Sequence, residues 1–163
     1  MQLPENIGLR SLRDDDLPLL MRIYRSTREA ELAWTGWTTE QKEQFISQQF
    51  DSQHRYYHSH FPHAEFYILR HQDQDVGRLY LDKTGDEWRL IDIALLPEWR
   101  LQGIGSGVLQ SVLADADRAG QKVLLHVEAT NPAMSLYRRL GFSVLADNGV
   151  HIKLIRQPQP LAA

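Results

Sequence analysis

A chain of 163 residues with a formal net charge of −3 has the length for one domain with its own core, and its charge balance gives no footprint of nucleic-acid binding. It contains no cysteine, which excludes disulfides and thiolate metal sites. It also lacks any apolar run of about 18 residues, so no membrane span is expected. The opening residues, MQLPENIGLRSLRDDD, hold no basic stretch followed by an apolar core. They do not read as a secretory signal, and a cytoplasmic location is expected.

Ile7 to Arg13 alternates apolar and polar residues and predicts a first strand. Asp14-Asp15-Asp16 then supplies helix-start signals, with Pro18 in the first turn and an apolar stripe of Leu17, Leu20, Met21 and Tyr24. Thr38 and Gln41 have capping-box spacing and open a helix expected to reach about Phe61, with Phe45, Ile46, Phe50 and Tyr57 on one face.

A strand-rich half follows Pro62. Glu65–His71 and Val76–Leu81 flank the polar turn Gln72-Asp73-Gln74-Asp75 and predict a hairpin. Glu87–Leu96 predicts the next strand. Its apolar end, LIDIALL, suits a strand covered on both faces. Gly103–Ala119 is the clearest helix, with Ile104, Val108, Leu109, Val112, Leu113 and Ala116 on one face and Gly120 at its end. Lys122–Ala129 predicts a buried strand. Asn131-Pro132 predicts a helix start, running to Leu140 and stopping at Gly141. Phe142–Ala146 and Val150–Ile155 flank the hairpin turn Asp147-Asn148-Gly149. The order β-α-α-β-β-β-α-β-α-β-β gives a mixed α/β sheet in one domain over residues 1–156, with residues 157–163 expected to fray.

The richest segment is Arg100-Leu101-Gln102-Gly103-Ile104-Gly105-Ser106-Gly107, between a buried-type strand and a strong helix. A helix N-terminus offers free N–H groups and about half a positive charge, which suits phosphate. Glycines in a helix's first turn cost roughly 1 kcal/mol each against alanine. A close-packed turn without a ligand has little reason to bear that, so an anion site is the better reading. The Gly-Lys-Ser/Thr end of a Walker A loop is missing. A dinucleotide fold, with Glu128 as ribose acid, is a closer rival. Against it, six residues (Pro97 to Gln102) separate the strand from Gly103, and the third glycine would fall at Val108.

Two motifs carry a resemblance. Pro97-Glu98-Trp99-Arg100 followed by Arg-x-x-Gly-x-Gly (Arg100, Gly103, Gly105), and later Asn131-Pro132-Ala133 with Leu136-Tyr137-Arg138-Arg139-Leu140-Gly141-Phe142, resemble the GCN5-related N-acetyltransferase (GNAT) superfamily. The match covers roughly residues 65–156; the first helices match only in kind. The resemblance implies a single-domain, mixed, splayed β-sheet flanked by helices, with acetyl-CoA as cosubstrate and an amine as acceptor. It implies that Ile93, Ala94 and Leu95 pair with pantetheine through their backbone. It implies that Arg100 belongs to the cofactor motif and that Leu101, Gln102, Gly103, Ile104, Gly105 and Ser106 hold the pyrophosphate. Asn131 would bond the cofactor arm, and Tyr137 would protonate the leaving thiolate.

An alkyl amine arrives protonated, so a base or a water must take its proton. Asp92 interrupts LIDIALL, where a buried carboxylate is costly unless paired or functional. Its structural alternative is an ion pair with Arg89 or Arg78. His126 titrates in the right range, with a satisfied core histidine as its alternative. The residues leave the two even, with Glu128 a weaker third. Tyr137 has a core alternative too, on one helical face with Ala133 and Leu140. Arg28–Trp37 falls where the family builds its acceptor pocket, although a helix end and hydrophobic staple explains it slightly better. His54 and His58 read as a solvated face, and no metal is expected. The acceptor amine is unspecified. No nucleic acid or membrane partner is expected, and the chain is read as a monomer or homodimer. A non-catalytic CoA-binding module and a nicotinamide-binding fragment are the alternatives.

Overall fold

The computed structural model describes residues 1–160. One seven-stranded sheet organises them, in the order β1-β2-β3-β4-β5-β7-β6. The strands are β1 (Ile7–Ser11), β2 (Glu65–His71), β3 (Gln74–Asp82), β4 (Trp88–Leu95), β5 (Val123–Glu128), β6 (Ser143–Asp147) and β7 (His151–Arg156). The helices are α1 (Leu17–Leu32), α2 (Thr39–His60), α3 (Ile104–Arg118) and α4 (Met134–Arg139). No helix among the described residues is long and apolar enough to cross a membrane.

β1 to β4 pair antiparallel in sequence order, and β5, β7 and β6 form a second antiparallel set. The two sets meet only where β4 runs parallel to β5, at Trp88↔Val123 and Arg89↔Leu124. Beyond those two pairs the strands part, giving the splayed mixed sheet expected from the family resemblance. β4 is therefore not covered on both faces. Trp88 and Leu90 are buried, but Ile91 to Leu95 are only half-buried, because the departure of β5 opens a cleft along their edge.

Apolar periodicity explains the packing. Ile104, Val108, Leu109, Val112, Leu113 and Ala116 are all buried, and α3 lies on one sheet face against Leu79, Leu81, Leu125 and Leu154. Each such side chain contributes roughly 1.5–3 kcal/mol of burial. On the other face, Leu20 and Tyr24 of α1 and Ile46 and Phe50 of α2 pack on Ile68 and Tyr80. Thr38 caps α2 with the expected reciprocal bonds to Gln41, at 3.1 and 2.9 Å.

Several expectations change. Leu17 is exposed, and Ile23 takes its place in the stripe of α1. Asp16 does not cap that helix. It is buried and receives both Arg10 terminal nitrogens at 2.9 and 2.7 Å, tying the end of β1 to the start of α1. The β2–β3 turn narrows to Gln72-Asp73. α4 starts at Met134, later than Asn131-Pro132 suggested. Instead of capping a helix, the Asn131 Oδ1 accepts from the Ala133 N–H at 2.8 Å and forms a turn ahead of α4. The tail is tied down at Gln159, whose N–H donates to Asp117 at 2.8 Å. Residues 161–163 of the segment expected to fray lie outside the described residues.

Candidate active site

After β4, a short 3-10 turn (Pro97–Trp99) leads to Arg100 and the loop before α3. Leu101 and Gly103 have φ of 61° and 81°. The left-handed region costs an L-residue roughly 1–2 kcal/mol, and glycine almost nothing. The Leu101 side chain is fully exposed, so packing does not hold it there. Left-handed residues set among right-handed or extended ones turn neighbouring N–H groups to one side, a concavity that suits anions. The first helical bond of α3 runs from the Gly107 N–H to the Gly103 carbonyl. The N–H groups of Ile104, Gly105 and Ser106 are left without helical acceptors.

The three glycines have different reasons. Gly103 supplies the left-handed turn. A Cβ on Gly105 would meet only Leu95 Cδ1, at 3.7 Å, and that position lines the cleft. A Cβ on Gly107 would lie 2.5 Å from Pro4 Cγ, so this glycine admits the N-terminal segment against α3.

The cleft between β4 and β5 has a volume of about 780 Å³. It brings together Asp92, Ile93, Ala94, Leu95 and Arg100 with Gly105 and Ser106 of α3, His126, Asn131 and Tyr137. Leu101, Gln102 and Gly103 stand exposed beside it, and Ile104 turns its side chain into the core. The Arg100 side chain spans the mouth, with Nε donating to the Leu95 carbonyl at 3.0 Å and Nη2 to Ser26 Oγ at 2.8 Å. Gln102 folds back onto the Glu98 carbonyl at 2.9 Å.

Tyr137 is 7% exposed and packs edge-on against Phe142, with ring centroids 5.7 Å apart. Its hydroxyl has no hydrogen-bond partner among the described residues. Burial, helped by the Asp92 charge, pushes its pKa above the ordinary phenol value. Tyr137 therefore keeps its proton through neutral pH.

The Asp92 carboxylate faces the guanidinium of buried Arg78, the second of its two structural alternatives. Arg78 also donates to Gln53 Oε1 at 3.1 Å. His126 is arranged differently. Arg89 Nη1 lies 3.1 Å from its Nδ1, and since arginine only donates, Nδ1 accepts. The neutral ring then carries its proton on Nε2. Burial, followed by the charges of Arg89, Lys153 and His151, pushes the His126 pKa down. Glu128 sits 3.5 Å from Arg28, which also meets Glu31 at 3.2 Å.

A second lobe of about 700 Å³ continues on the α1–α2 side of the sheet, lined among others by Tyr24, Gln53, Tyr57, Arg89, His126 and His151. Sequence reasoning did not place Tyr24, Gln53, Tyr57 or His151 in a site, and their spacing carried no signal. They come from α1, α2 and β7 and converge only once the sheet is assembled. Within Arg28–Trp37, Arg28, Ala30 and Glu31 line the cleft. Trp34 is 91% exposed, and Trp37 packs on Phe45, about one turn beyond the Lys42 position that a hydrophobic staple would use. His54 and His58 are not a solvated face. Both are half-buried, with rings 4.4 Å apart, and His58 stacks on Phe66. Among the described residues no group of three or more His, Asp or Glu could hold a metal.

Known proteins share this fold. PaiA N-acetyltransferase from Thermoplasma acidophilum, solved in complex with coenzyme A, superposes with a TM-score of 0.69 at 20% identity, over 93% of this chain and 98% of that one. The ribosomal-protein-S18-alanine N-acetyltransferase from Escherichia coli gives 0.62 at 19% identity, over 96% of each chain. The cysteine-rich protein 2-binding proteins of mouse and human are 44% identical over 46 residues, 28% of this chain. The aligned stretch spans only 6% of those much longer proteins. The sequence profile of the acetyltransferase (GNAT) domain matches residues 62–144, just over half of the 163. That span holds the parting strands, the N–H cradle and Tyr137, and the chain belongs to the GNAT acetyltransferase family.

Proposed function

We propose that the protein moves the acetyl group of acetyl-CoA to a primary amine by direct attack of the amine on the thioester. One observation carries this reading: the gap between β4 and β5 runs from a cradle of free N–H groups to the buried hydroxyl of Tyr137. In this reading the N–H groups of Leu101 to Ser106 hold the pyrophosphate, with Arg100 at the mouth. The open backbone edge of Ile93, Ala94 and Leu95 pairs with the pantetheine arm, and the Asn131 side-chain amide bonds it from the opposite wall. Bound acetyl-CoA supplies an activated acyl carbon and a thiol leaving group.

The chain's own groups then handle two protons. Asp92 accepts the one the ammonium must lose, directly or through water. His126 suits that role less, because Arg89 engages its Nδ1 lone pair. A β4 backbone N–H stabilises the charge that grows on the carbonyl oxygen. The N–C bond forms as the C–S bond breaks, and Tyr137 gives its proton to the departing sulfur. Glu128 lies 3.5 Å from Arg28, which counts against the ribose-acid role a nicotinamide site would need.

Thermal unfolding with acetyl-CoA, CoA and NAD tests the cofactor, and thiol release across an amine library tests the transfer. Acetyl-CoA at about 100 times its Kd should stabilise the fold by about 2.7 kcal/mol, with NAD inert. A folded sample unmoved by CoA compounds overturns the whole reading. A stabilised sample that acetylates no amine leaves a binding module instead.

A further inference from the structure

The acceptor lobe has a charge arrangement that peptide-bond geometry does not require. Its floor is the sheet face of β4, β5 and β7. His126 stands opposite Lys153 in the β5–β7 register and Glu128 opposite His151, so these side chains share a face. Arg89 joins them from β4 through its contact with His126. The carboxylates nearby already face arginines: Glu128 and Glu31 meet Arg28, and Asp92 meets Arg78. Among the described residues neither Arg89 nor Lys153 has an acidic partner within ion-pair distance. One Arg89 donor reaches His126, while the guanidinium lies 5.8 Å from the Phe61 ring centre. The other N–H groups have no acceptor among the described residues. A planar fork with open donors, on an aromatic wall in a walled lobe, matches carboxylate or phosphate.

Arg89 also occupies the last β4–β5 pair before the strands part. It lies three residues from Asp92, roughly 10 Å along a strand. Resting on the acetyltransferase reading above, we infer that the acceptor is an amine that also carries an anionic group, which Arg89 holds at the cationic wall of the lobe. The anion would sit roughly 10 Å from the reacting nitrogen, on the sheet face opposite the phosphate cradle. A bare polyamine fits poorly, because its second charge would meet Arg89.

Matched amine pairs test this. Thiol release is measured for triglycine against triglycinamide and for aminohexyl phosphate against aminohexanol, amines long enough to span about 10 Å, so that carboxylate and phosphate are read separately. The wild-type protein, Arg89→Gln and Arg89→Lys are compared, each with its acetyl-CoA thermal shift. In the wild type, kcat/KM for the anionic member of at least one pair should exceed that of its neutral partner roughly 10- to 100-fold, as a charge-assisted hydrogen bond provides. Arg89→Gln should bring that ratio toward one, and Arg89→Lys should restore part of it. The inference is overturned by ratios of one or below in both wild-type pairs, by no anionic amine reacting above the background hydrolysis of acetyl-CoA, or by an unchanged ratio in Arg89→Gln. An acetyl-CoA stabilisation that persists in those cases shows that only the inference has failed. Loss of stabilisation in the wild type fells the cofactor reading as well.

Discussion

The two ends of the cleft are built from different materials. At the end proposed for the phosphates, the polar groups are backbone N–H donors, arranged by a left-handed turn at Gly103 and the start of α3. Side-chain identity matters little there, and Leu101 points wholly into solvent. At the end proposed for the acceptor, the lining is made of side chains from five elements: Arg28 of α1, Tyr57 of α2, Arg89 of β4, His126 of β5 and His151 of β7. A backbone site depends on local chain geometry and is compact in sequence. A side-chain site depends on assembly of the sheet, and each contributor can change without disturbing the others. One end can thus stay fixed on a common cosubstrate while the other is retuned to a new acceptor.

Substitutions can break this division one end at a time. The largest effect should come from Asp92→Asn, which removes the proposed proton acceptor from the cleft. Turnover at neutral pH should fall on the order of 10²–10⁴-fold and recover partly at higher pH, where more amine is already neutral. Arg78 keeps a hydrogen-bond acceptor but loses its counter-charge. The stability cost should stay below the roughly 3–5 kcal/mol of a fully buried pair, because Asp92 opens onto the cleft. Equal pH profiles for mutant and wild type would remove Asp92 as the base.

Tyr137→Phe comes next. It keeps the ring against Phe142 and removes only the hydroxyl. Turnover should drop roughly 10- to 10³-fold with the acetyl-CoA Kd nearly unchanged, since the thiolate charge develops during reaction. A destabilised mutant with normal kcat would return Tyr137 to the core. Its raised pKa adds a condition: no loss of wild-type activity from its ionisation should appear below the ordinary phenol value of about 10.

Gly105→Val should act on the phosphate end alone. The fold has room for the Cβ, and the γ carbons would extend toward the cofactor. An acetyl-CoA Kd raised about 10- to 100-fold, or about 1.4–2.7 kcal/mol, with an unchanged melting temperature is expected by titration calorimetry and thermal unfolding. Gly107→Val, by contrast, should lower stability first, because of the contact with Pro4.

The smallest effect belongs to His126→Gln, expected to change kcat less than about threefold, well below the loss of a true base. The imidazole pKa is lowered, so the neutral form is favoured and the charged form appears only as pH falls below the ordinary value of about 6.5. An NMR titration should find the midpoint below that value. It should move upward in Arg89→Gln, where one of the repelling cations is gone. A midpoint above 6.5, or a large loss of kcat, would reinstate His126 as the base.

The sequence spoke unevenly about these two ends, for the same physical reason. The α3 face from Ile104 to Ala116 and the capping box at Thr38 are local patterns, and the structure has them as read. The cradle from Arg100 to Ser106 is local too. Tyr57 and His151 sit nearly a hundred residues apart, and no periodicity links them. The LIDIALL run misled because apolarity reports burial without saying by what; part of it lines the cleft. Asn131-Pro132 misled because Asn serves an isolated turn as well as a helix start, and here it serves the turn.

The two-pair seam between β4 and β5 has a consequence for how the sheet resists opening. Here one antiparallel group of four strands and another of three share a seam at Trp88↔Val123 and Arg89↔Leu124, beside a backbone edge with no neighbouring strand. Amides on that edge sit in the middle of the sheet by position, yet they lack the inter-strand partners that protect central strands from exchange with solvent deuterium. In the ligand-free protein the interior of the sheet should therefore exchange like its rim. A ligand that pairs with β4 would act as an eighth strand, turning a jointed plate into a continuous one.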